Sequence, residues 1–193
     1  VDGVGHLRVS ASTWDSGYNL GRGYVSSAGV MPDSPWVYYT AVRYEADVTG
    51  LSDLALGYRF ELSDGGYAYL KFDSENGMRL RYGNQVVSSD GPALYQAQWY
   101  ELKFGWDGTE LRGWYRERGR GTWLGGTNNL GLLLYASGSA WPERVKVGQT
   151  DIAASSYNDL TMTLLVDYWQ VAEPAAAGVG LVAEDFLGTV LDT

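Results

Sequence analysis

The chain has 193 residues, 45% of them hydrophobic, which is enough to bury one substantial core and predicts one domain, or one domain with a tail. Its formal net charge of −9 disfavours acidic partners, so we expect no nucleic-acid partner and no basic-patch membrane binding. No apolar stretch reaches the roughly 20 residues that a membrane-spanning helix needs, so we expect no membrane insertion. The absence of cysteine excludes disulfides, thiolate metal sites and cysteine nucleophiles.

The composition favours short strands over helices. The chain has 26 Gly, with 15 Tyr and 8 Trp against 4 Phe, so turns are frequent and most large rings carry a polar group that needs a partner when buried. Such rings suit half-buried sheet faces and sugar-binding surfaces. The chain opens at Val1 without a signal-like apolar region, from which we expect a processed or excised piece.

Strand-like alternation begins early in the chain. Residues 4–12 and 23–30 read as strands, and residues 36–48 form the first long one, with mostly apolar side chains at even positions and Tyr or charged ones at odd positions. Residues 54–62 repeat this alternation, and residues 63–66 form a hairpin turn in which Gly takes positive φ. We predict that the 36–48 and 54–62 strands pair with each other in a meander.

The same alternation continues toward the C-terminus. Further strands are predicted at residues 67–73, 78–82, 100–106, 111–116, 132–136, 145–147 and 161–171. Many short strands without helical periodicity predict an all-β fold, a two-sheet antiparallel β-sandwich. We place the sandwich in residues 1–172, a linker at residues 173–181 and a last strand at residues 182–193.

Three passages resemble concanavalin A-like modules of the laminin-G and glycosidase-appended kind. They are residues 58–82, the hairpin of residues 99–104 and 111–115, and the closing strand at residues 165–171. The resemblance implies a jelly roll, a non-catalytic carbohydrate-binding or adhesion role, and a location outside the cell or on a cell or virion surface. It also suggests Ca²⁺ as a cofactor, for which Asp73, Glu75 and Asn76 offer oxygen ligands in a turn.

The C-terminal segment resembles the opening strand of the same modules. The assembly strand predicted from this likeness contains Glu184, Asp185, Phe186, Leu187, Val190 and Leu191. We expect a permuted domain whose tail returns to its own body, a fragment cut across tandem repeats, or a subunit that donates its last strand to the next copy. Donation builds a head-to-tail polymer, so the alternative function is a structural subunit of a filament, sheath or virion appendage.

Outward strand positions combine rings with charged groups, as a sugar-binding surface requires. If the predicted pairing holds, these positions share one sheet face. The residues predicted to bind carbohydrate are Tyr39, Arg59, Tyr67, Tyr69, Arg79, Arg81, Trp114 and Arg116. The alternative is an ordinary solvated sheet whose Arg, Glu and Tyr side chains satisfy one another, and Trp114 is the residue that it explains least well.

Catalysis is not expected from this sequence. Glycosidases of the resembled family carry three alternating carboxylates on one strand, and Glu45 with Asp47 matches only two of them. His6 is the single histidine, which excludes a histidine metal cluster and indicates a structural role. We therefore expect a partner that is either carbohydrate or another copy of the chain, and no enzyme activity.

Overall fold

The computed structural model describes residues 6–12, 24–26, 31–47, 55–73, 79–136, 139–149, 161–172, 182–185 and 190–191. Within this part a single 3-10 turn, Thr127–Asn129, interrupts the strands, and no helix is long and apolar enough to cross a membrane. In chain order the strands are β1 (Leu7–Ser12), β2 (Tyr24–Ser26), β3 (Trp36–Asp47), β4 (Ala55–Leu62), β5 (Tyr67–Asp73), β6 (Arg79–Asn84), β7 (Ser88–Ala93), β8 (Trp99–Trp106), β9 (Glu110–Glu117), β10 (Leu132–Ala136), β11 (Pro142–Gln149), β12 (Thr161–Ala172), β13 (Val182–Asp185) and β14 (Val190–Leu191).

The strands form two sheets stacked face to face. The first sheet has the order β10-β9-β8-β3-β12-β13-β14, with β1 also paired to β12, and the second has the order β2-β11-β4-β5-β6-β7. Neighbouring strands in the described part pair antiparallel. The predicted all-β, two-sheet antiparallel sandwich is therefore confirmed.

One core lies between the two sheets because each contributes its apolar face. In β8 the even-numbered residues are buried and the odd-numbered ones half-buried, which is the period of two expected for such a strand. Rings from the two sheets interlock: the centroids of Phe60 and Phe104 lie 4.8 Å apart, and those of Tyr44 and Phe72 lie 5.7 Å apart. These contacts fix which side of each strand faces outward.

Tyrosine hydroxyls bring polar groups into this core. The hydroxyls of Thr40 and Tyr58 form a hydrogen bond of 2.8 Å. Burial raises the pKa of Tyr38 and of Tyr58 well above the ordinary 10.0, because the phenolate would lose its hydration. Both rings therefore remain neutral across the physiological pH range, and the core does not act as a charge switch.

The predicted pairing of residues 36–48 with residues 54–62 is wrong. β3 lies in the first sheet between β8 and β12, whereas β4 lies in the second sheet between β11 and β5. Both strands alternate in the same way because both face the shared core, so the pattern does not distinguish neighbours in one sheet from partners across the sandwich. The hairpin turn predicted at residues 63–66 joins β4 to β5, with Gly65 at a φ of +87°.

β7 is a strand that the hydrophobic pattern does not predict. Its residues are exposed or half-buried along its whole length, and it contains Pro92. It lies at the edge of the second sheet, where a proline is tolerated because one side of the strand has no neighbour to receive an N–H. An edge strand of this kind has no apolar face that sequence analysis could detect.

β12 has two different partners along one edge. β3 pairs with β12 on one side, while on the other side β1 pairs with residues 161–166 and β13 pairs with residues 168–171. β13 therefore lies beside β12, the strand predicted to close the sandwich. Of the predicted assembly strand, Phe186 and Leu187 lie outside the described residues.

Candidate functional site

The eight predicted carbohydrate-binding residues lie on opposite surfaces of the sandwich. Tyr39, Trp114 and Arg116 belong to β3 and β9 of the first sheet, and Arg59, Tyr67, Tyr69, Arg79 and Arg81 belong to β4, β5 and β6 of the second. The prediction that they share one sheet face is wrong, because it depended on pairing between β3 and β4. Stacked sheets are separated by a core roughly 10 Å thick, so no single small ligand contacts both sets.

On the first sheet, strand register aligns outward side chains into rows. One row contains Tyr39 on β3, Lys103 on β8 and Trp114 on β9. The adjacent row contains Glu101 on β8 and Arg116 on β9. Directly opposite residues of antiparallel strands have Cβ atoms roughly 4.5–5.5 Å apart, so side chains along each row contact one another.

Trp123 reaches over these rows from the loop that follows β9. Its ring centroid lies 6.1 Å from that of Tyr39, 4.3 Å from Arg116 Cζ and 5.2 Å from Lys103 Nζ. We call Tyr39, Lys103, Trp114, Arg116 and Trp123 the Lys103 cluster. All five side chains are half-buried, so their neighbours hold them in place while part of each remains open to solvent.

Trp114 packs against glycine backbone. A Cβ at Gly131 would lie 2.7 Å from Cε2 and Cζ2 of the indole, and one at Gly105 would lie 3.3 Å from its Cζ3. The indole N–H donates to the carbonyl of Asn129 at 3.1 Å, and Lys103 Nζ lies 4.2 Å from the ring centroid. Trp114 is therefore a support for Lys103, which explains an outward tryptophan that the sequence pattern left unexplained.

The cations of this face fall into two kinds. Four arginines form ion pairs: Arg43 with Glu45 at 2.7 Å, Arg112 with Glu110 at 2.7 Å, Arg118 with Asp167 at 2.5 Å, and Arg116 with Glu101. Lys103 contacts two indole rings and, within the described part of the chain, no carboxylate. It is the cation of this cluster whose charge is not balanced by a neighbouring acid.

The surroundings of Lys103 disfavour its charge. Burial lowers the pKa of Lys103 below the ordinary 10.5, and the positive charge of Arg116 lowers it further. The two indole rings offset part of this cost, since a cation–π contact contributes about 0.5–1 kcal/mol at an exposed site and about 2 kcal/mol when desolvated. An ammonium held in this way attracts hydrogen-bond acceptors.

A second group of charges surrounds Trp99 at one end of the same face. The Cζ atom of Arg118 lies 5.4 Å from the Trp99 ring centroid, and the His6 ring lies 4.9 Å from it. His6 Nε2 is 3.6 Å from an oxygen of Asp167, the carboxylate that also pairs with Arg118. These contacts attach the start of β1 to β8 and β12, which gives His6 a structural role.

The second outer face arranges its rings and charges differently. Arg59 Cζ lies 4.0 Å from the centroid of the Tyr67 ring, and Lys146 Nζ pairs with Glu61 at 2.5 Å. Tyr69 is only 8% exposed although its strand position points outward. Less aromatic surface is therefore open to a ligand here than on the first sheet.

The predicted metal site lies mostly beyond the described residues. Asp73 is the last residue of β5, and Glu75 and Asn76 fall outside the described ranges, so the Ca²⁺ site remains a prediction. In the described ranges no group of three or more His, Asp or Glu side chains could hold a metal ion. Of the partial glycosidase pattern, Glu45 is paired with Arg43 and Asp47 ends β3.

Sequence reasoning missed the centre of the candidate site. Alternation in β8 places Glu101 and Lys103 outward, but one charged residue on a strand is not a signal for a ligand. Trp123 lies in a loop where no periodicity exists, so its position over Lys103 depends on a chain reversal that the pattern does not encode. A tryptophan in a glycine-rich loop between strands is the one sequence feature that could have indicated it.

Structure comparison finds proteins with the same architecture. An uncharacterised protein from Mycobacterium paratuberculosis aligns with 89% of this chain and 83% of its own length, with a TM-score of 0.55 and 12% identity. A β-1,3-glucanase from Mycobacterium marinum aligns with 89% of this chain and 76% of its own, with a TM-score of 0.51 and 14% identity. A GH43 protein from Bacillus licheniformis aligns with 88% of this chain at a TM-score of 0.52 and 12% identity, and the chain spans 33% of its length.

No protein-family model matches the sequence, and no curated protein matches it. At 12–14% identity the structural similarities show a shared fold, a β-sandwich that carbohydrate-active enzymes also use. Fold similarity at this level does not carry chemistry, which has to be argued from the site itself.

Proposed function

We propose that this chain is a concanavalin A-like carbohydrate-binding or adhesion module whose ligand lies on the Lys103 cluster. The observation that carries the proposal is the position of Trp123, whose ring stands against Tyr39 and close to both Lys103 and Arg116. Aromatic rings stack on the apolar C–H face of a sugar, and neighbouring cations hydrogen-bond its hydroxyls. The cluster offers both kinds of contact on one surface.

The structural neighbours support a carbohydrate-related role. They include a β-1,3-glucanase and a GH43 protein, and the chain aligns with 76% of the first and 33% of the second. Sandwich domains of this kind present the outer face of a sheet as a broad surface, and the Lys103 cluster occupies such a surface. The proposal places the module outside the cell or on a cell or virion surface, where glycans are exposed.

We infer a binding role for this face in preference to a catalytic one. Glycoside hydrolysis uses two carboxyl groups, one donating a proton and the other attacking or activating water. Glu101 and Asp167 on this face are both engaged by arginines. Carboxylates already committed to guanidinium groups suit a rigid binding surface better than a reacting pair.

Binding to a panel of immobilised polysaccharides tests this function. Trp123→Ala should lower the affinity for any glycan that the chain binds by at least tenfold, because the stacking ring is removed. Tyr95→Ala is the matched control, since Tyr95 is a ring that is 74% exposed in the loop between β7 and β8 and lies outside the cluster. Unchanged binding by Trp123→Ala contradicts the site, and failure of the unsubstituted chain to bind every glycan contradicts the function.

A second candidate function follows from the two-part edge of β12. Residues 168–171 of β12 are paired by β13, which follows residues 173–181, the linker predicted from the sequence. The same four pairings can be made by β13 of a neighbouring copy, which is how a donated strand joins subunits into a filament. Under this alternative the chain is a structural subunit of a filament, sheath or virion appendage.

Truncation after Glu173 tests the assembly alternative. If the donated strand joins subunits, the full chain forms filaments in negative-stain images and the truncated chain stays monomeric by light scattering. A full chain that is monomeric at high concentration contradicts donation, as do filaments that persist after truncation.

A further inference from the structure

Lys103 lies at the centre of a surface with unused hydrogen-bond donors. Its ammonium lies 4.2 Å from the Trp114 ring centroid and 5.2 Å from that of Trp123. A half-buried ammonium has lost part of its hydration, and an indole face replaces it less well than an oxygen acceptor does. The N–H groups of Lys103 are therefore available to a ligand oxygen.

The other groups of the Lys103 cluster are also donors. Arg116 directs Nε to Glu101 and Nη1 to the Gly121 carbonyl at 3.4 Å, which leaves Nη2 for a ligand. The rings of Trp123 and Tyr39 contact each other, but the indole N–H and the hydroxyl form no hydrogen bond within the described ranges. Glu101, the acceptor nearest these groups in register, is already engaged by Arg116. Free donors thus outnumber free acceptors around Lys103.

We propose that the glycan bound at the Lys103 cluster carries anionic substituents, either carboxylate or sulfate, and that Lys103 is the residue that selects them. This inference rests on the proposed glycan-binding function and narrows its ligand class. A neutral sugar hydroxyl both donates and accepts, whereas an anionic oxygen only accepts, which matches a donor-rich surface. An anion also balances the charge that Lys103 and Arg116 place close together, through charge-assisted hydrogen bonds.

The net charge of −9 is compatible with this contact. Exposed charges separated by more than about 8 Å are largely screened at physiological ionic strength, so distant acidic residues affect the encounter rate more than the bound state. The sequence-based expectation that acidic partners are disfavoured describes the average surface. At the Lys103 cluster the local balance is cationic, because Glu101 neutralises Arg116 and no described carboxylate neutralises Lys103.

Two matched pairs of polysaccharides test the inference, each pair differing in its anionic groups. Pectate and carboxyl-reduced pectate test carboxylate, and dextran sulfate and unmodified dextran test sulfate. The full chain should bind at least one anionic member at least tenfold more tightly than its neutral counterpart, and the preference should shrink as salt is added. Whichever pair shows the preference identifies the anionic group.

Variants of Lys103 separate selection from folding. Lys103→Gln should lower the affinity for the anionic member at least fivefold more than the affinity for the neutral member, while Lys103→Arg keeps the charge and most of the preference. Arg144→Gln removes one exposed cation from β11 of the second sheet and should leave the preference intact. Melting curves of all three variants confirm that each is folded.

The outcomes distinguish this inference from the proposed function. Equal binding of anionic and neutral members, or a Lys103→Gln loss that is the same for both, overturns the anionic ligand and leaves glycan binding in place. Absence of binding to all four polysaccharides and to the neutral glucans and xylans of the wider panel overturns both.

Discussion

The two outer faces of the sandwich have similar residue types and different surroundings. Each carries a half-buried lysine at an outward position, Lys103 on the first sheet and Lys146 on the second. Lys146 pairs with Glu61 at 2.5 Å, whereas Lys103 Nζ lies 4.2 Å from the ring centroid of Trp114 and 5.2 Å from that of Trp123. The cross-strand neighbours of each lysine therefore decide whether its charge is balanced within the protein or is left for a ligand.

The rings of the two faces differ in how much of each is exposed. On the second sheet Tyr69 is 8% exposed and Tyr67 lies under the guanidinium of Arg59. On the first sheet Trp99 and Trp123 are half-buried, and the guanidinium groups of Arg118 and Arg116 lie over their rings. Outward aromatic and basic residues therefore indicate a binding face only when cross-strand register leaves hydrogen-bond donors unoccupied.

The largest change in unfolding free energy is expected in β8, where a substitution tests which side of the strand faces the core. Phe104→Ala should cost about 3–5 kcal/mol of unfolding free energy, because the ring is fully buried and its centroid lies 5.2 Å from that of Tyr58. Lys103→Ala, one position away, loses two cation–π contacts and should cost less than about 2 kcal/mol. Urea unfolding measures both. Equal losses of unfolding free energy, or a larger loss for Lys103→Ala, would mean that β8 does not turn Phe104 to the core. The outward rows of side chains on β3, β8 and β9 would then be wrong.

A glycine substitution tests the support of Trp114. Gly131→Ala should cost about 1–3 kcal/mol, because its Cβ would lie 2.7 Å from the indole and its φ of +96° strains any residue with a side chain. Gly121→Ala is the control, since a Cβ there meets nothing within 4 Å. Its effect on thermal unfolding should stay within about 0.5 kcal/mol. A Gly131→Ala variant as stable as the control would show that Trp114 is not held in this way.

Each face has a half-buried ion pair whose cation can be removed by a single substitution. Arg116→Gln leaves Glu101 without its partner, and Lys146→Gln does the same to Glu61, so each should cost about 1–2 kcal/mol of stability. Only Arg116→Gln should also weaken glycan binding, by about fivefold, since Lys146 lies on the opposite sheet. Stability from urea melts and affinity from titration calorimetry separate the two effects. An equal loss of affinity in the two variants would contradict a ligand site on the first sheet.

The smallest expected effect is the pH dependence that Lys103 gives to stability and to binding of an anionic glycan. The pKa of Lys103 is lowered by burial and by Arg116, so the folded protein releases this proton at a lower pH than the unfolded chain does. The free energy of unfolding therefore increases as pH rises through the pKa of Lys103 in the folded protein. Over the same pH range an anionic ligand loses its ammonium partner. Lys103→Arg should move this loss of affinity to higher pH, because guanidinium stays charged. Titrations at increasing pH compare the two, and identical profiles would remove Lys103 from the contact. Arg116, Glu101 and Tyr39 border Lys103 and are unchanged in both proteins.

Much of the fold can be predicted from period-two alternation. The boundaries of β10 match residues 132–136, and those of β3 and β12 differ from the predicted ones by one residue at the C-terminal end. Alternation reports which side of a strand is buried, and this information is sufficient for two apolar faces that form one core. It does not report which strands are neighbours, which is why β3 was wrongly paired with β4.

The candidate site could be predicted only in part. Tyr39, Trp114 and Arg116 were recognised as outward residues, since strand period alone places them there. Lys103 and Trp123 were not recognised, because their contacts depend on the register of β8 with β9 and on the path of the loop after β9. Both features arise from long-range contacts, for which a local pattern carries no signal.

Chemical-shift mapping of the ¹⁵N-labelled chain during titration with the tightest-binding glycan shows whether the Lys103 cluster is the ligand site. We expect saturable shifts of the Trp123 indole N–H and of backbone amides at Tyr39, Lys103 and Arg116, with no change at Tyr67 or Tyr69. Saturable shifts on β4 and β5 with none on β3, β8 and β9 would contradict binding at the Lys103 cluster.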